Sequence, residues 1–140
     1  MDRLTPEQRS RLMARIRGRD TRPELAVRRI VHSLGRRFRL HGRYNGTTLW
    51  GRPDLVLPGL STVIFVHGCF WHMHACGRCR MPKSNCAFWR AKLLGNAARD
   101  RRHARLLRQH GWRVIVVWEC HLRRPESVRR RLERLIGRGA

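Results

Sequence analysis

The side chains best suited to chemistry are concentrated in the middle of the chain. Three histidines, His67, His72 and His74, fall within eight residues. Histidine rarely clusters in a core, and a neutral imidazole beside a phosphate ester is a suitable general base near pH 7. In an extended segment His72 and His74 would lie on the same side, although a loop need not keep that register. This segment is the first candidate for acid–base chemistry or metal binding.

A second candidate site begins at Asp54, which opens a short apolar run shortly before the longer run that ends at His67. Two adjacent strands can bring Asp54 and residues 66–67 to one metal-sized gap. Mg²⁺ prefers oxygen ligands, tolerates several waters, and would polarise a phosphodiester and activate the attacking water. A surface aspartate in a turn before a strand is the alternative, and the local pattern gives the two equal weight.

The five cysteines suit a metal site better than a disulfide framework. Their number is odd, and the N-terminal residues lack the apolar centre of a secretory signal, so we expect an intracellular protein. Tetrahedral zinc accepts Cys, His and occasionally Asp. One CxxC pair without a second leaves the four ligands undecided, and scattered free thiols are the less favoured alternative. The potential ligands are His74, Cys76, Cys79, Cys86, Asp100 and Cys120.

Two adjacent aromatic residues, Phe70 and Trp71, stand between the histidines. Such a pair in a loop is costly unless it is buried or stacked on something. Stacking on DNA bases, or wedging between them, is the functional interpretation. Folding back as a lid on the core is the alternative, and it is favoured for a Phe-Trp pair considered in isolation.

The charge of the chain indicates a polyanionic partner. Thirty-two Lys and Arg residues oppose nine Asp and Glu, which gives a net charge of +23 at pH 7. Nucleic acid is the simplest partner for such a surplus. The basic residues are spread along the chain, so a membrane surface fits less well. No apolar run is long enough to span a bilayer. We therefore expect a cytoplasmic, nucleoid-associated protein.

The elements that position these residues alternate between helices and strands, and the 140 residues predict one domain. A helical arm covers about residues 1–20, and a second helix begins at Thr21, whose capping box ends at Glu24. Apolar runs predict strands at 38–41, 54–57, 61–67 and 112–118. Helices are predicted at about 88–109 and from Pro125 onward. The order α-α-β-β-β-α-β-α predicts an α/β fold, a central mixed sheet flanked by helices.

The chain closely resembles the very short patch repair (Vsr) endonucleases in four segments, which are, in chain order, GRPDLVLPG, VIFVHGCFWHMHAC, FWRAKLLGNAARDRR and GWRVIVVWEC. The segment DTRPE resembles the N-terminal motif of that family. The resemblance covers roughly residues 11–122. It implies a restriction-endonuclease-like fold with a structural zinc site. It also implies an enzyme that nicks one strand of double-stranded DNA 5′ to the T of a T:G mismatch, which arises by deamination of 5-methylcytosine.

The resemblance assigns catalytic roles to matching positions. Asp54 resembles the ligand of a catalytic Mg²⁺, and Val66 falls where a second metal-site residue contributes its main-chain carbonyl. His72 resembles the catalytic base, and His67 lies in the same active site. Glu24 resembles an N-terminal catalytic carboxylate and is also part of the capping box.

Further roles follow from the same resemblance. Phe70 and Trp71 match a wedge beside the mismatch, Met13 enters from the other groove, and Trp89 matches a further family aromatic. The resemblance assigns four ligands to the structural Zn²⁺, which are His74, Cys76, Asp100 and Cys120. The resemblance implies a monomer, with mismatch-repair proteins as additional candidate partners.

Two other functions remain open from the sequence. A Vsr-like enzyme with a different mismatch or sequence context would carry the same motifs. A non-catalytic, zinc-stabilised DNA-binding module would explain the charge and the Cys/His content, and it is kept open because no second acidic residue lies near Val66. A zinc deaminase is disfavoured, since the chain lacks the H-x-E that supplies its glutamate.

Overall fold

The computed structural model of the protein describes residues 21–72, 74 and 84–139. Its elements are α1 (Arg22–Ser33), β1 (Arg39–Leu40), β2 (Arg43–Tyr44), β3 (Thr47–Thr48), β4 (Leu55–Leu57), β5 (Thr62–His67), α2 (Cys86–Gln109), β6 (Arg113–Trp118) and α3 (Pro125–Ile136). Short 3-10 helices cover Pro58–Leu60 and Glu119–Arg123. Four strands form one sheet with the order β1-β4-β5-β6, and β2 and β3 form a separate two-stranded hairpin.

β5 pairs in parallel with the edge strand β6, in register from Thr62 opposite Arg113 to His67 opposite Trp118. β5 is buried along nearly its whole length, as is typical of a strand covered on both faces, whereas β6 alternates between buried and partly exposed residues. Because the strands are parallel, they end at the same edge of the sheet. β4 runs antiparallel to β5, so its first residue, Leu55, lies near that same edge.

Helices cover both faces of the sheet. α1 and α3 pack on one face, where Val31 and Leu132 join Ile64 and Val117 in the larger apolar cluster. α2 crosses the other face, and its Leu107 is fully buried in the smaller cluster. Each such side chain contributes about 1.5–3 kcal/mol through removal from water. This three-layer packing fixes the sheet edge on which the candidate site lies.

The predicted α/β class and the central mixed sheet with flanking helices are confirmed. The cap predicted at Thr21 is present, with the Glu24 N–H donating to Thr21 Oγ1 at 3.4 Å. The last helix begins at Pro125 as predicted, whereas α2 begins at Cys86, two residues before the predicted start. The predicted arm at 1–20 lies outside the described residues.

The β2–β3 hairpin was not predicted. Its two strands are only two residues long each, too short to show an alternating pattern. The turn carries the missed signal, because Asn45 and Gly46 have φ angles of 49° and 76°. Asn-Gly is the favoured sequence of a two-residue hairpin turn, in which both central residues need positive φ.

Within the described ranges, the protein has no helix with the length and apolarity needed to cross a membrane.

Candidate active site

The sheet brings Asp54 against the end of β5. The Val66 backbone N–H donates to Asp54 Oδ2 at 2.6 Å. This proximity was expected from the two apolar runs, and it follows from the antiparallel pairing of β4 with β5. The contact uses the backbone amide of Val66 and not its carbonyl.

Asp54 is held in an environment that disfavours its charge. Burial raises the pKa of Asp54 to about 7; the Val66 hydrogen bond opposes this shift, nearby Glu24 adds to it, and Arg28 and His72 oppose it. Glu24 is itself only 9% exposed and faces Arg28 at 3.5 Å. Two neighbouring carboxyl groups in largely buried positions are stabilised by a cation, and a divalent ion with oxygen ligands fits this donor set.

His72 forms a pair with Asp100 of α2, in direct contact through His72 Nδ1 and Asp100 Oδ2. An ionised carboxylate only accepts hydrogen bonds, so Nδ1 carries the proton and Nε2 of His72 remains an acceptor. A base of this kind, oriented by a carboxylate, is the arrangement that abstracts a proton from water or a hydroxyl.

The imidazole ring of His67 lies against one face of the His72 ring. Their rings are stacked, with centroids 3.8 Å apart and an interplanar angle of 6°. Burial and the neighbouring His72 lower the pKa of His67 to about 4, against the opposing effect of Asp100. His67 is therefore neutral at physiological pH. One ligand atom from each of His67, His72 and Asp100 lies within 4.8 Å of the others.

A second group of metal-ligand side chains forms beside the first and changes the expected zinc set. Ligand atoms of Cys69, His74 and Cys120 lie within 4.8 Å of one another, and Cys120 Sγ is 3.5 Å from His74 Nδ1. Two cysteine sulfurs and an imidazole are three of the four donors that tetrahedral zinc uses. The chemistry of this donor set therefore fits zinc.

The sequence-based set and the structure differ in one ligand. Asp100 was expected beside His74 and Cys120, but its carboxylate contacts His72, so we revise that expectation. Cys69, which is 4% exposed, takes the place assigned to Asp100. The missed signal was the Cys-x₄-His spacing within one segment. Cys76 lies outside the described residues, as do Cys79 and Met13.

An aromatic cluster stands next to the two histidine groups. Phe70 and Trp71 contact each other at 5.1 Å between ring centroids, and both contact Trp89 of α2, at 5.8 and 5.9 Å. The ammonium of Lys92 lies 5.7 Å from the Trp71 ring and 5.8 Å from the Trp89 ring. Asn96 Nδ2 donates to the Trp71 carbonyl at 3.1 Å.

Sequence reasoning identified the three aromatic residues and missed Lys92 and Asn96. The available signal was helical spacing, because residues 89, 92 and 96 fall at i, i+3 and i+7 and so share one face of α2. That face holds the loop that carries Phe70 and Trp71. The two aromatic side chains are half-buried, in contact with α2.

A cleft of about 470 Å³ connects the histidine pair to the space between α2 and the sheet. Its wall includes His67, His72 and Asp100, together with Arg101 and Arg108 of α2. A phosphate group entering this cleft would meet a base and positive charge at once. The arrangement suits hydrolysis of a phosphodiester, in which negative charge develops on the phosphate oxygens.

Comparison with known proteins shows the family of this chain. Residues 1–78 match the model of a family described as DNA mismatch endonuclease Vsr. The chain is 47% identical to the Type II nicking enzyme V.XorIIP of Xanthomonas oryzae pv. oryzae over 96% of both proteins. It is 41% identical to the DNA mismatch endonuclease Vsr of Escherichia coli K12, over 94% of this chain and 86% of that protein.

A solved structure supports the fold. The catalytic domain of the homing endonuclease I-Bth0305I aligns with a TM-score of 0.54 at 19% identity, covering 82% of this chain and 93% of the other. That likeness supports a restriction-endonuclease-like fold. Together with the family match and the near full-length relatives, it leads to one conclusion: this chain is a DNA endonuclease that belongs to the Vsr family of DNA mismatch endonucleases.

Proposed function

We propose that the protein nicks one DNA strand 5′ to the T of a T:G mismatch, by Mg²⁺-dependent hydrolysis that initiates very short patch repair. The observation that supports this most is the meeting of three features at one edge of the sheet. These are the buried Asp54 carboxyl group, the His72–Asp100 pair and the aromatic cluster around Trp71. A purely DNA-binding module would have no need of the first two.

The metal site of this proposal centres on Asp54, with the Val66 carbonyl as a second oxygen donor and Glu24 as the nearby carboxylate. A divalent ion held there would supply Lewis-acid activation of the phosphodiester. The protein itself supplies an aspartate whose raised pKa reflects burial of its charge. Arg28, beside Glu24, supplies a compensating charge within the same group of residues.

His72 acts as the general base in this mechanism. Its Nε2 accepts a proton from the attacking water, and Asp100 holds the ring by its Nδ1–H and stabilises the imidazolium that results. His67 stacks on the ring as a neutral group and blocks rotation of the imidazole out of line. His67 is thus a positioning residue and His72 a catalytic one.

Mismatch selection is assigned to the aromatic cluster. A T:G wobble pair is weaker than a Watson–Crick pair, so opening the stack beside it costs less. Phe70, Trp71 and Trp89 would insert at that step, at a cost of a few kcal/mol that is lower at the mismatch. Lys92, held above two of the rings, brings a cation to the same place. Met13 is proposed to enter from the other groove.

A structural zinc site would hold the loop that carries this wedge. Cys69, His74 and Cys120 provide three ligands, and Cys76 is the proposed fourth. Cys69 and His74 flank Phe70 and Trp71, while Cys120 follows β6, so the ion would tie the loop to the sheet edge. The excess of arginine supplies affinity that is sensitive to salt and independent of sequence.

The test is a nicking assay on duplexes that carry each mismatch in one sequence context, with Mg²⁺ and with EDTA. We expect strand-specific nicking of T:G alone, only with Mg²⁺, and loss of nicking with retained T:G binding in Asp54→Ala. Equal cleavage of homoduplex would redirect the assignment to a general nuclease. If the unmodified chain binds the duplexes without cleaving any of them, the alternative of a non-catalytic DNA-binding module is supported.

A second candidate is nicking by the same machinery in a different mismatch or sequence context. It is favoured by one observation, namely that the relative at 47% identity is described as a Type II nicking enzyme. Repeating the mismatch panel in several flanking sequences separates the two candidates. Activity that depends on flanking bases and not on T:G would support the second one.

A further inference from the structure

A second cavity, of about 400 Å³, lies between the 3-10 helix Glu119–Arg123 and the first turns of α3. Three arginines line it, Arg123, Arg124 and Arg131, together with the Ser127 hydroxyl and the His121 ring. We call it the arginine pocket. It is separate from the catalytic cleft, with which it shares none of its lining residues.

No acidic residue within the described part of the chain neutralises the positive charge of the arginine pocket. Across residues 21–72, 74 and 84–139, no carboxylate lines this cavity, and none of its three arginines forms an ion pair. Convergence of like charges destabilises a fold, so a basic cavity without acidic partners indicates an anionic ligand.

One of the three arginines in the pocket is anchored, while Arg123 and Arg124 are exposed. Arg131 Nη1 donates to the Val116 carbonyl of β6 at 2.9 Å, which anchors one guanidinium group to the sheet. The Arg124 carbonyl accepts the amides of Ser127 and Val128 at 3.0 and 3.3 Å. A guanidinium group held in place loses little entropy on binding, and its planar fork matches the oxygens of a phosphate.

The position of the pocket indicates which phosphate it would meet. Cys120 lines the pocket and also belongs to the Cys69–His74–Cys120 group. That group flanks the loop that carries Phe70 and Trp71. A ligand in the pocket therefore lies beside the proposed wedge, at the sheet edge where the active site also lies.

We propose that the arginine pocket binds one backbone phosphate of duplex DNA next to the wedge, and so sets the register of the duplex on the active site. This inference rests on the proposed function, since it assumes that DNA crosses this edge. Phosphate contacts fix the position of a protein on DNA without reading its sequence. The pocket has room for a phosphate with its sugar or with bridging waters.

The first experiment measures the salt dependence of T:G duplex binding in EDTA. Arg123→Gln/Arg124→Gln removes two charges from the pocket, and Arg130→Gln/Arg134→Gln removes two exposed charges from elsewhere on α3. Losing one phosphate contact lowers the slope of log K against log salt by about 0.9. We expect that decrease, and an affinity loss of about tenfold, only in the pocket variant. Equal losses in both variants would overturn the proposal.

The second experiment identifies the source of the phosphate. Methylphosphonates replace one backbone phosphate at a time in each strand, which removes a single negative charge. At one position, the replacement should weaken duplex binding by the unmodified protein about tenfold. The same replacement should hardly change duplex binding by the Arg123→Gln/Arg124→Gln variant. If no position behaves so, and millimolar inorganic phosphate raises Tm of the unmodified protein alone, the pocket takes free phosphate and the DNA proposal is overturned.

Two further measurements distinguish a failure of the proposed phosphate site from a failure of the proposed nicking function. Arg123→Lys/Arg124→Lys keeps both charges and should keep the salt slope, which excludes misfolding as the cause of the loss. At saturating enzyme, Arg130→Gln/Arg134→Gln should nick T:G at the rate of the unmodified protein, whereas the pocket glutamine variant should nick more slowly, because the duplex has lost the contact that sets its register. If the unmodified protein fails to nick, the proposed function fails, while the binding results still decide the phosphate site.

Discussion

The imidazole rings of His67 and His72 lie face to face at 3.8 Å, and Asp100 contacts the second ring alone. This asymmetry separates the roles of two histidines that look alike in the sequence. His67 is buried, and its pKa falls to about 4. His72 keeps a carboxylate partner, so it is the histidine that can accept a proton and hold it as a stabilised cation.

The His72–Asp100 pair predicts a specific catalytic loss. Asp100→Asn keeps the size of the side chain and removes the negative charge that stabilises the imidazolium. We expect single-turnover nicking to fall by about 10²- to 10⁴-fold, while the dissociation constant for T:G duplex changes little. An unchanged nicking rate would show that His72 does not act as an Asp-supported base.

Zinc content distinguishes the ligand set seen in the structure from the one expected from the sequence. Cys69→Ser should lose stoichiometric zinc and lower Tm, because it removes a donor from the group with His74 and Cys120. Asp100→Asn should keep its zinc, because its carboxylate is committed to His72. Metal analysis of both purified variants checks this. The opposite pattern would restore Asp100 as a ligand.

The raised pKa of Asp54 predicts how metal-free stability depends on pH. The folded state holds the proton up to about pH 7, while the unfolded chain releases it near its ordinary pKa of 3.8. The free energy of unfolding therefore falls as pH rises between these values, by up to about 4 kcal/mol. Asp54→Asn removes this loss.

Urea unfolding in EDTA at pH 5 and pH 8 measures the effect. The Asp54→Asn variant should be more stable than the unmodified protein at pH 8, and the difference should shrink at pH 5. A variant that is less stable at pH 8 would contradict burial of an uncompensated carboxylate at this position.

The aromatic cluster predicts a loss of mismatch discrimination. Trp71→Ala removes the ring that contacts Phe70 and Trp89, and loss of one stacked aromatic is worth about 1–3 kcal/mol. We expect the ratio of T:G to homoduplex affinity to fall by about tenfold or more. Phe88→Ala is the matched control, because Phe88 is 60% exposed beside Trp89. Equal effects of both changes would argue against a wedge.

The sequence alone determined the parts of this protein that depend on local or short-range patterns. Thr21 caps α1 because its hydroxyl reaches an amide three residues away. The apolar run of β5 formed the buried strand that its lack of polar alternation predicts, whereas the equally apolar β6 lies at the sheet edge and is only partly buried. The two apolar runs indicated that Asp54 could meet residue 66, and the antiparallel pairing of the two strands across a short connection decided it. The short β2–β3 hairpin was missed because its apolar pattern is too brief, although Asn45-Gly46 carried the turn signal.

Only the tertiary structure decided which distant side chains share a partner. Asp100 and Cys120 were both reasonable zinc ligands by residue type. The crossing of α2 over the sheet places Asp100 against His72, and the end of β6 places Cys120 beside Cys69. The arginine pocket likewise depends on how α3 packs beside the end of β6. A side chain acquires its chemistry from groups within a few ångströms, and sequence separation does not fix those distances once helices pack across a sheet.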